Sequence, residues 1–185
     1  DKLKAHYDYL ENNPDVGISY NSRFDLGDST QLIRRLWIAP RQITLSDFVV
    51  GYPFAPSDIV FRREWLFNMG LFDEKNSFHG EDLNTNCRFA LAGCKFGYVG
   101  RVLNYRRNHF VRVRNHLDES LNSVLRNLEL VFNDPRCSAE TVALRGRAYA
   151  TNYLVWAYWS LAQDETELGG NYLRKAVQND PELMK

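Results

Sequence analysis

Apolar residues recur at helical spacing at both ends of the chain and in short bursts between them. Leu3, Tyr7 and Leu10 mark a first helix, ended by Asn12-Asn13-Pro14. Val16-Gly17-Ile18-Ser19-Tyr20 reads as a strand, and the polar stretch 21–29, with Gly27, as a loop. Residues 43–50 predict a short helix started by Thr44 or Ser46, and Gly51-Tyr52-Pro53-Phe54-Ala55-Pro56 predicts a loop. Residues 58–62 suit a strand and 63–69 a short helix closed by Gly70. Residues 82–91 predict a helix with Leu83, Cys87, Ala90 and Leu91 inward, stopped by Ala92-Gly93. A strand over 96–103 follows.

Beyond that point the pattern is helical to the end. Residues 116–133 carry Leu117, Leu121, Val124, Leu125, Leu128 and Val131 at helical spacing. Residues 138–161 predict one long helix capped by Ser138, with Thr141 three positions on. A third helix starts at 168 or 170 and runs to 178, stopped by Asn179-Asp180-Pro181. Residues 112–145 contain no Gly and Pro135 as their only Pro. Alternating strands and helices followed by helices alone indicate an α/β portion, 1–112, and an all-α tail, 113–185.

Composition narrows the function classes. With 185 residues there is room for one domain, or one domain and an appendage. The 23 basic and 23 acidic side chains cancel, so nothing draws the chain generally to nucleic acid or anionic lipid. No apolar run approaches the roughly 20 residues of a membrane helix. Cys87, Cys94 and Cys137 form no CxxC pair, which fits buried thiols in a reducing compartment better than a zinc site. The sequence opens inside a helical pattern without Met, so it reads as part of a longer protein.

Three segments carry candidate chemistry. In Gly80-Glu81-Asp82-Leu83, two acids open an apolar-faced helix. They could simply cap its free amides, or one could stand in a cleft as a general base. Tyr105-Arg106-Arg107-Asn108-His109 places an Arg and a His three apart after a strand, suited to anionic groups or a metal, or to a solvated turn. Ser57-Asp58-Ile59-Val60-Phe61-Arg62-Arg63-Glu64 is either an ordinary strand-to-helix turn or a further part of the same site.

The order of these pieces resembles the family 2 glycosyltransferases, which have the GT-A fold. The run from Lys2-Leu3 through Asn13-Pro14-Asp15-Val16-Gly17-Ile18-Ser19-Tyr20 is similar to the segment after that family's DXD motif. Phe61-Arg62-Arg63-Glu64, Gly70-Leu71-Phe72-Asp73-Glu74, Gly80-Glu81-Asp82-Leu83 and Arg88-Phe89-Ala90 with Gly93 resemble its next block, and Tyr105-Arg106 with His109 its closing one. These pieces, in the family's order, cover residues 1 to about 110. The resemblance implies a partial GT-A-like domain, the acceptor-side half. It implies transfer of a sugar from a nucleotide-sugar donor to a carbohydrate or lipid-linked acceptor, with inversion. It makes Asp82 the catalytic base, with Glu81 beside it. Arg106 and His109 would lie near the donor diphosphate, with His109 a metal ligand, and Phe72, Asp73 and Arg62 on the acceptor side. It also implies a divalent cation, Mn or Mg, held mainly by an N-terminal part that these residues do not include, so that they would be inactive alone. The expected location is cytoplasmic, or peripheral at the inner face of the membrane. A QxxRW motif of processive synthases is missing: Arg35-Leu36-Trp37 comes too early and has no Gln.

The tail lies outside that resemblance. Residues 148–162 and 170–181 are similar to one tetratricopeptide unit, with small and aromatic residues on paired helices ending in Pro. One such hairpin cannot bury its own face, so it packs on the catalytic portion or offers a protein-binding or homodimer surface. A non-catalytic helical interaction module is therefore the competing reading. It predicts Asp82 capping a helix with no cleft beside it.

Overall fold

The computed structural model describes residues 1–27, 33–74, 80–107 and 117–184. The chain is α/β, with helices around a mixed four-stranded sheet. It runs through α1 (Lys2–Asn12), β1 (Val16–Leu26), β2 (Ile33–Trp37), α2 (Leu45–Val50), β3 (Ile59–Phe61), α3 (Arg63–Asn68), α4 (Glu81–Leu91), β4 (Lys95–Arg107), α5 (Leu117–Phe132), α6 (Ala139–Ala143), α7 (Arg145–Leu161) and α8 (Thr166–Asn179).

β1 is the centre of the sheet. β4 pairs with it in parallel along nearly its whole length. Its other edge is shared by two antiparallel partners, β3 at Ile18–Tyr20 and β2 at Arg23–Leu26. The predicted loop over 21–29 is thus corrected, because β1 continues to Leu26. Asn21, Ser22, Arg23 and Asp25 look like loop residues but are buried, each hydrogen-bonded inside the sheet layer. β2 was not anticipated, and β4 extends past 103 to Arg107 because β1 offers it an edge to Leu26.

Two helices differ from the periodicity reading. In α1 the buried residues are His6 and Leu10, whereas Leu3 and Tyr7 are exposed. His6 faces the sheet because its two ring nitrogens meet Ser19 Oγ at 2.7 Å and Asn21 Oδ1 at 2.8 Å. The helix expected over 138–161 is two, α6 and α7, divided at Leu144 (φ −81°, ψ 0°). Its start is as expected: Ser138 Oγ accepts from the Thr141 amide at 3.1 Å.

One hydrophobic cluster joins the α/β part to the tail. Tyr20, Phe48, Phe54, Leu83 and Cys87 pack in it with Leu121, Val124, Leu128, Trp156 and Tyr172. The division at 112/113 falls in 108–116, outside the described residues, and the core continues across it. The apolar stripe on α5 supplies the seam. Asn127, 1% exposed on that helix, ties it to α4: its amide donates to the Gly80 carbonyl at 3.2 Å, and its oxygen accepts from Asn84 at 3.1 Å. Gly80 itself has φ +87°, a left-handed conformation that a side chain would strain, and it turns the chain into α4. Among the described residues no helix is long and apolar enough to cross a membrane.

Candidate functional site

Strand register assembles the site. On β1, Arg23 lies opposite Trp37 of β2 and Asn104 of β4, and Asp25 opposite Arg35 and Arg106. Residues directly opposite in a sheet share a face, and alternate residues along a strand share it too. Six polar or aromatic side chains from three strands therefore meet on one face.

Ionic contacts fix that face. Arg23 is 5% exposed; its Nε donates to Asp25 at 2.9 Å and its Nη1 to Asp58. Asp58, fully buried, also accepts from the Ala55 amide at 2.7 Å and from Asn104 at 2.9 Å. Asn104 in turn accepts from Asn21, the partner of His6. Asp25 accepts from Arg106 Nε at 3.0 Å and Nη2 at 3.3 Å. The Arg23 guanidinium sits 4.3 Å from the Trp37 ring centre, a cation–π contact. Two arginines and two aspartates thus neutralise one another in a largely buried layer, where an unpaired charge would be costly. Arg106 keeps 37% of its side chain exposed, with Nη1 not engaged by Asp25.

Above this face opens a cavity of about 770 Å³. It is lined from the sheet by Arg23, Arg35, Trp37 and Arg106, from the 51–56 loop and α4 by Tyr52, Phe54 and Asp82, and from α7 by Leu154, Val155, Tyr158 and Trp159. The 51–56 loop is held by Phe54, 4% exposed, whose ring packs on Tyr20 and Phe48 at 5.5 and 5.4 Å between centres. That anchoring presents Tyr52 to the cavity.

Asp82 is half-buried in the first turn of α4, and its Oδ1 accepts from the Leu83 amide at 2.8 Å. Burial pushes its pKa up, and the neighbouring Glu81 charge pushes it the same way. The Tyr52 hydroxyl is also raised, mostly by burial and then by the Asp82 charge. An acid with raised proton affinity beside a cavity can take a proton from a bound hydroxyl.

The expected site residues separate into groups. Asp82 and Arg106, distant in sequence, line one cavity; Glu81 is exposed beside Asp82. Arg62 is elsewhere: its guanidinium donates to the carbonyls of Val16 at 2.8 Å, Leu10 at 2.6 Å and Asn13 at 3.4 Å, closing the end of α1. Phe72, 46% exposed, and Asp73 lie after α3 and are not among the cavity-lining residues. Arg88 secures that turn by donating to the Met69 and Leu71 carbonyls and feels the Asp73 charge. His109 lies outside the described residues. Among the described residues no three His, Cys, Asp or Glu side chains converge as metal ligands, so the implied Mn or Mg ion finds no ligand set there. Sequence reasoning missed Arg23, Asp25, Arg35, Trp37 and Tyr52, and named Asp58 only within a candidate segment. The available signal was the period-2 alternation Arg23-x-Asp25 and Arg35-x-Trp37, which suits strands.

No protein-family model matches the chain, and no curated protein or solved structure shows significant similarity to it.

Proposed function

We propose that the chain is the acceptor-side part of an inverting glycosyltransferase with a GT-A-like fold, similar to family 2. The observation that carries this reading is that Asp82 and Arg106 line the same cavity. The acceptor hydroxyl loses its proton to the Asp82 carboxylate as its oxygen bonds to the anomeric carbon. The bond from that carbon to the diphosphate breaks, and its electron pair leaves with the diphosphate. One in-line displacement needs one base, and the developing charge on the leaving group calls for a cation such as the exposed end of Arg106. His109 belongs to the donor side by resemblance alone. The donor is a nucleotide sugar, the acceptor a carbohydrate or lipid-linked alcohol, and the setting the cytoplasm or the inner membrane face.

The competing interaction module has less support. It calls for Asp82 capping a helix with no cleft beside it, whereas Asp82 and α7 of the tail line one cavity. The test is Asp82→Asn in the full-length natural protein. Transfer is expected to fall by about 10²–10⁴-fold with donor affinity unchanged. Near-normal transfer would refute the assignment.

A further inference from the structure

The wall that α7 gives to the cavity has a chemistry of its own. From Ala148 to Leu161 this helix carries no charged residue, in a chain that is 25% charged. Its inner side is used: Ala148, Asn152, Trp156, Ala157 and Ser160 are buried. Its other side is also apolar and stays open. Leu154 is 36% exposed, Val155 41%, Tyr158 60% and Leu161 42%. Leu154, Tyr158 and Leu161 are spaced i, i+4 and i+7, so they form one stripe along the helix. Positions 154, 155 and 158 line the cavity, whereas Leu161, one turn on, packs against Gly169 of α8. An open apolar helix side that lines the same cavity as Arg35, Arg106 and Asp82 marks a ligand contact rather than ordinary surface.

The two walls therefore ask for two kinds of ligand surface at once. We infer that the cavity takes an amphiphilic alcohol, with a hydroxylated head at Asp82 and an alkyl chain along Leu154, Val155 and Tyr158. An alkyl chain fits better than a second sugar ring because Leu154 and Val155 offer a ring's hydroxyls no hydrogen-bond partner. A charged ligand portion has no counter-ion anywhere on this wall. The inference rests on the transferase reading in calling this ligand the acceptor, and it makes α7 the element that selects acceptors by their apolar part.

Direct binding tests it. Trp37 and Trp159 line the cavity and report by fluorescence. The full-length protein is titrated, below micelle-forming concentrations, with methyl and octyl glycosides of glucose, galactose and N-acetylglucosamine. For at least one head group the octyl form is expected to bind tenfold or more tighter than the methyl form. Leu154→Ser with Tyr158→Ser, both at exposed positions, is expected to bring that ratio close to one while circular dichroism stays unchanged. A ratio near one in the wild type, no saturable quenching by any octyl glycoside, or a ratio indifferent to the double substitution would overturn the inference. So would a change of oligomeric state on substitution without a change of ratio, since the stripe would then bind a second copy. Asp82→Asn separates the two proposals. Normal transfer with the octyl preference intact removes the base and leaves the subsite; lost transfer with no octyl preference removes the subsite alone.

Discussion

Asp58→Ala probes the ionic layer beneath the cavity. Asp58 is fully buried and accepts from three donors: the Arg23 guanidinium, the Asn104 amide at 2.9 Å and the Ala55 amide at 2.7 Å. Arg23 is 5% exposed and would keep Asp25 as its one counter-ion, while the Ala55 and Asn104 amides lose their acceptor. Removing one member of a buried ion pair costs about 3–5 kcal/mol. Proteins have only about 5–15 kcal/mol in all. With a urea slope of about 2 kcal/mol per molar, the midpoint should fall by about 1.5–2.5 M. The assay is urea unfolding followed by circular dichroism, with the slope checked for change. Arg23→Met combined with Asp58→Leu removes both charges, and this double variant should be more stable than Asp58→Ala, since the half-paired buried cation is gone and Asp25 keeps Arg106. A midpoint shift under about 0.5 M for Asp58→Ala, roughly 1 kcal/mol at that slope, would refute the reasoning.

Two further expectations follow from the same contacts. Burial raises the Asp82 pKa, so the folded state holds this proton more tightly than the unfolded chain, and ionisation costs stability. That cost is absent below the unfolded value of about 4, grows as pH rises from there to the raised value and is complete above it. Asp82→Asn should therefore melt higher than wild type once pH exceeds the raised value, with the difference vanishing toward pH 4; a lower melting temperature throughout would contradict the burial. Arg62→Ala should lose about 2 kcal/mol, on the order of 1 per hydrogen bond, and speed amide exchange in α1. Weaker acceptor binding at unchanged stability would instead return Arg62 to the acceptor side.

The helices were legible because each signals itself locally. Ser138 and Thr141 announce a cap, Gly80 with two acids announces a start, and the Leu and Val spacing of α5 announces a buried stripe. The later half of β1 was not legible. Arg23 and Asp25 have the composition of a loop, and only β2 and β4 on either side make that stretch a strand. The periodicity of α1 likewise chose Leu3 and Tyr7, whereas the sheet selected His6, since Ser19 and Asn21 satisfy both of its nitrogens.

For the site, the sequence alone determined that Asp82 opens a helix; it put Arg106 beyond a strand ending at 103, and only pairing with β1 carries β4 through that residue. Capping and periodicity act over a few residues, and the start of a helix is a fact of that range. Which side chains meet was decided by the tertiary structure. Strand register put Asp25 against Arg106, and the shared core brought α7 across to face Asp82. Such meetings depend on chain segments tens of residues apart, whose pairing is set by packing and register and leaves no local trace in the order of the amino acids.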